Sequence, residues 1–277
     1  MCLVATVFSP RLQSVTSKCR RVDAPPSGLY DTPRGNDVQP LSGELIGAVS
    51  YRMSVVIPVF NEAGTLGEVI TRLERLQGAV EIVVVNDGSD DGTASILEAA
   101  ERTRPLVVLH HATNCGKGAA LRTGFAAARG RVVVVQDADL EYDPLEIERL
   151  VSPIERGEAD VVYGSRFLHN GRQANGPVHR LANWCLTTLS NLTTGLRLTD
   201  METCQKAFRR EVLAGLVLHE NGFAIEPEIT AQVARRGWRV MELQVSYAGR
   251  NKASGKKITV SDGLRAVATI LRQCWRP

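Results

Sequence analysis

Residues 132–143 read "VVVVQDADLEYD", an apolar run that passes directly into a group of acidic residues. Four consecutive valines indicate a strand that is buried on both faces, which is typical of a parallel sheet covered by helices. Carboxylates this close together repel one another unless a cation compensates them. The stretch therefore indicates a fold class and, at the end of the strand, the position of a site.

The same order of an apolar run, a polar turn and a helical pattern occurs three times upstream. The strand-like runs are "MSVVIPVF" (53–60), "VEIVVVND" (80–87) and "LVVLHH" (106–111). This βαβαβαβ order predicts an α/β fold with a mainly parallel central sheet and helices on both faces. Ligands bind to such sheets beyond the carboxyl ends of the strands, which is where Asp87, Asp137 and Asp139 lie in the sequence.

Residues 1–50 differ in composition from the rest of the chain. They contain five prolines and no sustained apolar period, which predicts a disordered or loosely ordered N-terminal extension. Residues 51–277 are expected to form one domain. Its second half contains predicted strands over 159–166 and 238–247 and predicted helices over 178–194, 211–218 and 226–237.

The last predicted helix, over 262–275, is basic and amphipathic. Its apolar face contains Leu264, Val267 or Ala268, Leu271 and Trp275. From Gly249 to the end, the chain has seven Lys or Arg residues and one acid. Two roles fit this pattern. The helix either contacts the anionic inner leaflet of a membrane or packs on the protein's own core.

The composition argues against a nucleic acid-binding protein and against a membrane-spanning protein. A net charge of +3 and a pI near 8.6 are too mild to indicate nucleic acid binding. No apolar run approaches the roughly 20 residues that a membrane-spanning helix needs. The six cysteines show neither a CxxC pair nor zinc spacing, which indicates reduced thiols and a cytoplasmic protein, with any membrane contact peripheral.

The acidic stretch is the first candidate site. In an extended chain, alternate residues point to the same side, so that Asp137, Asp139 and Glu141 would converge. Mg²⁺ and Mn²⁺ bind carboxylate oxygens together with substrate phosphates. Solvent exposure explains Glu141 and Asp143 equally well, and Asp143 with Pro144 is typical of a helix start. Asp137 and Asp139, at the end of a buried strand, are therefore favoured as ligands.

Two Gly-rich turns provide further candidates. "NDGSDDGT" (86–93) places Asp87 directly after a buried strand, where its carboxylate is suited to accept a hydrogen bond from a nucleotide base. "NCGKGAALRTG" (114–124) fails the phosphate-loop pattern because Gly118 follows Lys117. A lysine at a helix N-terminus still suits an anion, and a solvated lysine in a flexible turn is the competing interpretation.

Taken in order, these motifs resemble those of family 2 glycosyltransferases with the GT-A fold, in the branch of dolichyl-phosphate mannose synthase and the polyprenyl-phosphate sugar transferases. The matching stretches are "SVVIPVFNEAGTL", "EIVVVNDGSDDGT", "NCGKGAALRTGF", "VVVVQDADLEYDP", "DVVYGSRF" and "TDMETCQKAFRREVL". The resemblance extends from about Met53 almost to the end of the chain. It implies an inverting, metal-dependent transfer of a hexose from a nucleotide sugar of the GDP-mannose or UDP-glucose type to a polyprenyl phosphate.

The resemblance also assigns roles to residues. A nucleotide-sugar pocket is implied for Pro58, Phe60, Glu62, Asp87, Lys117 and Asp137. Mg²⁺ or Mn²⁺ ligands are implied at Asp137, Asp139 and Glu141. Phosphate and acceptor contacts are implied for Arg166, Lys206, Arg250, Lys256 and Lys257. Catalytic roles are predicted for Asp139, Asp200, Arg166 and Lys206. Gln205 stands where many relatives have an aromatic residue, a departure that bears on the acceptor more than on the donor.

The motifs do not decide which chemical class of acceptor receives the sugar. A lipid phosphate is largely dianionic at pH 7 and needs cations to hold it, whereas a glycan or small-molecule hydroxyl needs a carboxylate base. The candidate bases are Asp200, Glu202, Glu226 and Glu228, although an N-terminal helix charge explains Glu226 and Glu228 equally well. A third hypothesis, a nucleotide-binding module without catalysis, is disfavoured by the Asp137 and Asp139 pair.

Overall fold

The computed structural model of the protein describes residues 50–168, 176–249 and 259–274. The predicted N-terminal extension therefore lies outside the described residues, apart from Ser50. The strands are β1 Met53–Val59, β2 Val80–Asn86, β3 Leu106–His110, β4 Val132–Val135, β5 Val161–Ser165, β6 Lys206–Arg209 and β7 Val240–Gln244. The α-helices are α1 Leu66–Leu73, α2 Thr93–Glu101, α3 Lys117–Ala127, α4 Ile147–Glu155, α5 Gly176–Thr194, α6 Arg210–Gly215, α7 Ile225–Arg235 and α8 Val260–Cys274.

The seven strands form one sheet in the order β3-β2-β1-β4-β6-β5-β7. All neighbouring pairs are parallel except those of β6, which runs antiparallel to both β4 and β5. The predicted α/β fold with a mainly parallel sheet is thus confirmed. The sequence did not predict β6, because a strand of four residues is too short to show a period.

The core lies at the centre of this sheet, as the valine runs predict. Val56 of β1, Val84 of β2 and Val134 of β4 are fully buried, and burial of each such side chain stabilises the fold by roughly 1.5–3 kcal/mol. Apart from Ser54 and Glu81, which form a hydrogen bond with each other near the starts of β1 and β2, the first polar residues of β1, β2 and β4 appear where these strands end. The parallel strands therefore deliver their polar turns to one edge of the sheet.

The predicted tail helix is α8, which packs on α5 and α7. It does so through Ala266 and Ile270, which are buried, while Leu264 and Leu271 are exposed. The face predicted to be apolar is therefore not the face that packs on the protein; its fourth member, Trp275, lies outside the described residues. Within the described ranges, no helix is both long enough and apolar enough to cross a membrane.

Candidate active site at the carboxyl edge of the sheet

The acidic residues lie in a turn and not on an extended strand. β4 ends at Val135, and Leu140 has a φ of +60°, a conformation that non-glycine residues seldom adopt. The Oδ1 atom of Asp139 accepts a hydrogen bond from the backbone N–H of Glu141 at 3.1 Å. The expectation that alternate residues of this stretch share one side is therefore wrong, because the strand has already ended.

Two buried glutamines fix the start of this acidic turn. Gln205 donates from Nε2 to Oε1 of Gln136 at 2.7 Å and to the backbone oxygen of Asp143 at 3.2 Å. Gln136 in turn donates to the backbone oxygen of Asp137 at 3.1 Å. Gln205, the departure from the family pattern, thus supports the predicted metal-binding turn. The polar Gln136 at the end of a valine run was the one sequence signal for this support.

The far end of the turn is held by the segment that follows β7. Tyr247 donates from Oη to Oε2 of Glu141 at 2.6 Å, and the backbone N–H of Ala248 donates to the backbone oxygen of Glu141 at 2.8 Å. The rings of Tyr142 and Tyr247 also pack edge to face at 5.2 Å between centroids. Glu141, a predicted metal ligand, is therefore engaged with Tyr247, a residue that the sequence did not single out.

Asp137, Asp139 and Glu141 do not form a closed three-ligand cage. Among the described residues, the group of three whose ligand atoms all lie within 4.8 Å of one another is Asp87, His111 and Cys115. Mg²⁺ and Mn²⁺ commonly keep several waters and share one or two carboxylates with substrate phosphates. The two partly exposed carboxylates of Asp137 and Asp139 fit an open site of this kind.

Asp87 is the centre of a buried hydrogen-bond cluster. Its Oδ1 accepts from the backbone N–H of Cys115 at 2.9 Å and lies 2.6 Å from Nδ1 of His111, and its Oδ2 accepts from the backbone N–H of Gly116 at 2.8 Å. These bonds hold Asp87 beside the His111 ring and the backbone of Cys115, and the sulfur atom of Cys115 takes part in none of them. Asp87 therefore supports the loop before α3. A carboxylate offers about four acceptor positions, of which three are used here, so that one position on Oδ2 remains to accept a further hydrogen bond.

The predicted nucleotide-pocket residues of β1 lie at the same edge. Pro58 belongs to β1, and Phe60 and Glu62 follow directly after it. The backbone N–H of Asp87 donates to the backbone oxygen of Val59 at 2.8 Å, which joins the ends of β1 and β2. The structure thus brings Pro58, Phe60, Glu62 and Asp87 to adjacent strand ends.

The glycines before α3 allow a close backbone approach. Gly116 has a φ of +96°, and a Cβ atom there would overlap the backbone oxygen of Asn221. The same oxygen accepts the backbone N–H of Ala119 at 3.1 Å. The Gly-rich motif therefore serves first to dock α3 against the loop that precedes α7, which places Lys117 at the N-terminus of α3 and at the edge of the site.

A chain of buried charges extends inward from Lys117. Its Nζ atom lies 3.2 Å from Oδ1 of Asp137 and 3.4 Å from Oε1 of Glu226, and Oε2 of Glu226 accepts from Nζ of Lys206. Burial lowers the pKa of Lys117, but the carboxylates outweigh this effect and raise the pKa well above its usual range. Lys117 is therefore a cation at neutral pH. Glu226, a candidate base, instead holds two lysines.

Asp200 is fully buried and bound by Arg166 on both oxygens. Nε of Arg166 donates to Oδ2 at 2.6 Å and Nη2 donates to Oδ1 at 2.7 Å, an arrangement that strengthens both bonds. Burial lowers the pKa of Arg166, but Tyr142 and Asp200 outweigh it and raise the pKa well above its usual range. Nη1 of Arg166 makes no hydrogen bond with any described residue, and the guanidinium lies over the ring of Tyr247 at 5.2 Å.

The other two candidate bases differ from each other. Glu228 accepts the backbone N–H groups of His219 and Glu220 at 2.9 and 2.8 Å, which is a structural role. Glu202 has a buried Oε1 with no hydrogen-bond partner among the described residues. Burial first, and then the charge of Glu226, raise the pKa of Glu202 to about 7.

A mainly apolar groove of about 650 Å³ begins at Phe167, the residue that follows Arg166 in the chain. It lies between α5 and the residues that follow β5 and precede Asp200. Its lining includes Phe167, Arg180, Leu181, Trp184 and Leu198. Asn183 also lines the groove, and its Oδ1 accepts from Nη2 of Arg166 at 3.4 Å. The predicted phosphate contacts Arg250, Lys256 and Lys257 lie outside the described residues.

Comparison with known proteins shows a matching family model, similar sequences and a similar solved structure. Residues 54–216 match the family model described as Glycosyl transferase family 2. Polyprenol monophosphomannose synthase of Mycolicibacterium smegmatis is 32% identical over 222 residues, which cover 76% of this chain and 83% of that protein. Undecaprenyl-phosphate mannosyltransferase of Micrococcus luteus is 29% identical, with 81% and 93% covered. Glucosyl-3-phosphoglycerate synthase from Mycobacterium tuberculosis, solved with Mn²⁺, UDP-glucose and phosphoglyceric acid, superposes with a TM-score of 0.64 at 25% identity, covering 82% of this chain and 81% of that one.

Proposed function

The chain belongs to glycosyl transferase family 2 and has the GT-A fold, and from this premise we propose that it transfers a hexose from a nucleotide sugar to a polyprenyl phosphate. Family membership removes support from the hypothesis of a nucleotide-binding module without catalysis. The observation that carries the proposal is the apolar groove, one of whose lining residues, Asn183, accepts a hydrogen bond from Arg166. Two relatives named for polyprenol and undecaprenyl phosphate acceptors support it.

The acceptor side suits a phosphate that carries an apolar chain. Nη1 of Arg166 and the guanidinium of Arg180, which lines the groove, are the cations that would hold the phosphate. The groove is within the size range of ligand pockets and would take the first isoprene units. A phosphate that is already dianionic needs no base, which agrees with Asp200 being bound on both oxygens by Arg166.

The donor side suits a nucleotide diphosphate. Asp137 and Asp139 would hold Mg²⁺ or Mn²⁺, which when bound supplies Lewis-acid stabilisation of the departing nucleotide. Lys117, kept cationic by Asp137 and Glu226, would contact the diphosphate at the N-terminus of α3. The backbone ends of β1 and β2, with Asp87, would hold the base and ribose. The donor is of the GDP-mannose or UDP-glucose type.

One observation favours a second candidate, transfer to a hydroxyl. Glu202 has an unpaired buried oxygen and a pKa raised to about 7, and a general base works best when its pKa lies near the operating pH. In that case Glu202 would take the proton of a glycan or small-molecule hydroxyl. The solved structure with phosphoglyceric acid belongs to a protein with an acceptor of this small size.

The two candidates are separated by Glu202→Gln. The purified protein is supplied with Mn²⁺, with GDP-mannose or UDP-glucose, and with either polyprenyl phosphate in detergent or phosphoglyceric acid. Transfer to the lipid is expected, and the variant should retain kcat within a few-fold of the control Glu98→Gln, an exposed carboxylate on α2. If the hydroxyl is the acceptor, the variant should lose roughly 100-fold or more in kcat. Transfer to phosphoglyceric acid alone would refute the lipid acceptor.

A further inference from the structure

The segment that follows β7 crosses the carboxyl edge of the sheet. In the sheet order β4-β6-β5-β7, this segment begins beside β5 and runs back to the acidic turn that follows β4. At its start, the backbone N–H of Val245 donates to the backbone oxygen of Ser165, the last residue of β5, at 3.0 Å. Two residues later, Tyr247 forms an antiparallel bridge with Tyr142. Contacts on both sides therefore fix the backbone of this segment.

Tyr247 contacts two predicted site residues that come from different parts of the chain. Its Oη atom donates to Oε2 of Glu141 at 2.6 Å, and the guanidinium of Arg166 lies over its ring at 5.2 Å from the centroid. Glu141 follows β4 and Arg166 follows β5, and β6 lies between these two strands. Tyr247 is therefore placed where the proposed donor half and the proposed acceptor half of the site meet.

The hydroxyl group of Tyr247 restricts the orientation of the Glu141 carboxylate. A glutamate side chain loses rotamer freedom when it binds a cation, and a hydrogen bond that already orients the carboxylate reduces this loss. Removing such a hydrogen-bond partner typically weakens metal binding roughly 10- to 100-fold. Packing of the Tyr247 ring against Tyr142 does not require the hydroxyl, so the hydroxyl has a role of its own.

The ring of Tyr247 acts on Arg166. Asp200 accepts hydrogen bonds from Nε and Nη2 of the guanidinium, and the face of the Tyr247 ring attracts the same cation. These two contacts together restrain the guanidinium, whose Nη1 atom is proposed to hold the acceptor phosphate. The position of that atom therefore depends on an aromatic ring at residue 247 and not on its hydroxyl.

We propose that Tyr247 is a positioning residue for both substrates: its hydroxyl orients Glu141 toward the divalent ion of the donor, and its ring orients Arg166 toward the phosphate of the acceptor. The inference rests on the proposed function and deepens it, because one side chain then controls both halves of the site. It assigns separate effects to the two parts of a tyrosine, and substitutions can separate these effects.

Tyr247→Phe tests the hydroxyl. Mn²⁺ binding is measured by electron paramagnetic resonance with UDP or GDP present and without acceptor, so that no turnover is needed. The variant is expected to bind Mn²⁺ roughly 10-fold or more weakly, whereas its KM for polyprenyl phosphate should stay close to that of the wild type. Tyr51→Phe is the matched control, because Tyr51 precedes β1 at the opposite edge of the sheet and has Arg129 over its ring, also at 5.2 Å. Equal Mn²⁺ affinities of the two variants would overturn the proposal.

Tyr247→Leu tests the ring, with Tyr51→Leu as its control and circular dichroism as the check of folding. The KM for polyprenyl phosphate should rise roughly 5-fold or more in Tyr247→Leu, because Arg166 loses the aromatic face, and Tyr247→Phe should restore it. Equal KM values of the two leucine variants, or an equal rise in Tyr247→Phe, would overturn the proposal.

The proposed function can fail without the inference. A wild-type protein that uses only phosphoglyceric acid would refute the lipid acceptor, and the KM comparison would then be made with that compound, which also carries a phosphate. If wild-type protein transfers sugar to neither acceptor, the proposed function is wrong. The Mn²⁺ affinities of Tyr247→Phe and Tyr51→Phe then decide the inference.

Discussion

At the scale of single residues, the site is organised by the cation that each carboxylate contacts. Asp137 lies beside Lys117, and Asp200 is bound by Arg166. Glu226 contacts Lys117 and Lys206 together. Glu202 and Glu226 each have a buried oxygen without a hydrogen bond to a described residue, and of these two only Glu226 has an ion pair with a described residue. The sequence predicted most of these residues, but their pairing depends on contacts between distant segments and could not be read from it.

Asp139→Asn is expected to lower kcat on the order of 100-fold or more without unfolding the protein, because a neutral amide is a weaker ligand for a divalent ion. The measurement is sugar transfer at saturating Mn²⁺, with circular dichroism as the check of folding. The matched control is Asp143→Asn. Asp143 accepts the backbone N–H of Leu145 at 3.1 Å and caps the short 3-10 helix Pro144–Glu146, so this variant should keep its activity. Wild-type kcat in Asp139→Asn would refute the ligand assignment.

Glu202 gives the stability of the protein a pH dependence. Its pKa is raised from the usual 4.5 to about 7, first by burial and then by Glu226. Between these values the folded protein retains a proton that the unfolded chain has lost, so this contribution is full below pH 4.5 and is lost as the pH rises through 7. The loss amounts to up to ~3 kcal/mol.

Urea unfolding on both sides of this pH window tests the prediction. Wild-type protein should lose more unfolding free energy with rising pH than Glu202→Gln, in which the group cannot titrate. Glu98→Gln should follow the wild type. Identical pH slopes in wild type and Glu202→Gln would show that Glu202 titrates near its ordinary pKa.

At the scale of elements, the buried strands could be predicted from the sequence, whereas the turns between them could not. β1, β2 and β4 are almost entirely buried, and Ser54 and Glu81 are the polar exceptions before their ends, so the sequence shows each of these strands directly. The acidic turn after Val135 was predicted as extended, because the bond between Gln136 and Gln205 and the positive φ of Leu140 depend on partners far along the chain. The tail helix was predicted correctly, but the side of it that packs was not.

Gly116→Ala should destabilise the protein more than Gly92→Ala. Both glycines have a φ near +95°, so both variants bear backbone strain of about 1 kcal/mol. Only at Gly116 would the new Cβ also overlap the backbone oxygen of Asn221; at Gly92 it meets no described atom within 4 Å. We expect a total loss of roughly 2–3 kcal/mol at Gly116, measured by denaturant unfolding, together with weaker donor binding because Lys117 moves. Equal losses would mean that the loop adapts to the added methyl group.

At the scale of the whole molecule, we expect the described fold to be stable without a metal ion. Lys117 already compensates Asp137, and the core lies at the centre of the sheet. EDTA should therefore leave the Tm of the unliganded protein unchanged. Mn²⁺ with the correct nucleotide sugar should raise the Tm, since a ligand at 100 times its Kd adds about 2.7 kcal/mol, and EDTA should abolish that rise. A fall in Tm on adding EDTA without donor would reveal a structural ion.

The antiparallel β6 has a consequence for how this enzyme diverges from its relatives. The proposed donor side is built from loops that leave β1, β2 and β4, whereas residues 200–205 reach the same edge on their way into β6, since Tyr163 of β5 pairs with Lys206. The two proposed halves of the site thus come from segments that approach this edge in opposite directions and meet at the hydrogen bond from Gln205 to Gln136. We therefore expect sequence changes within 200–204 to alter the acceptor half alone, whereas a change at Gln205 would also disturb the acidic turn of the donor half.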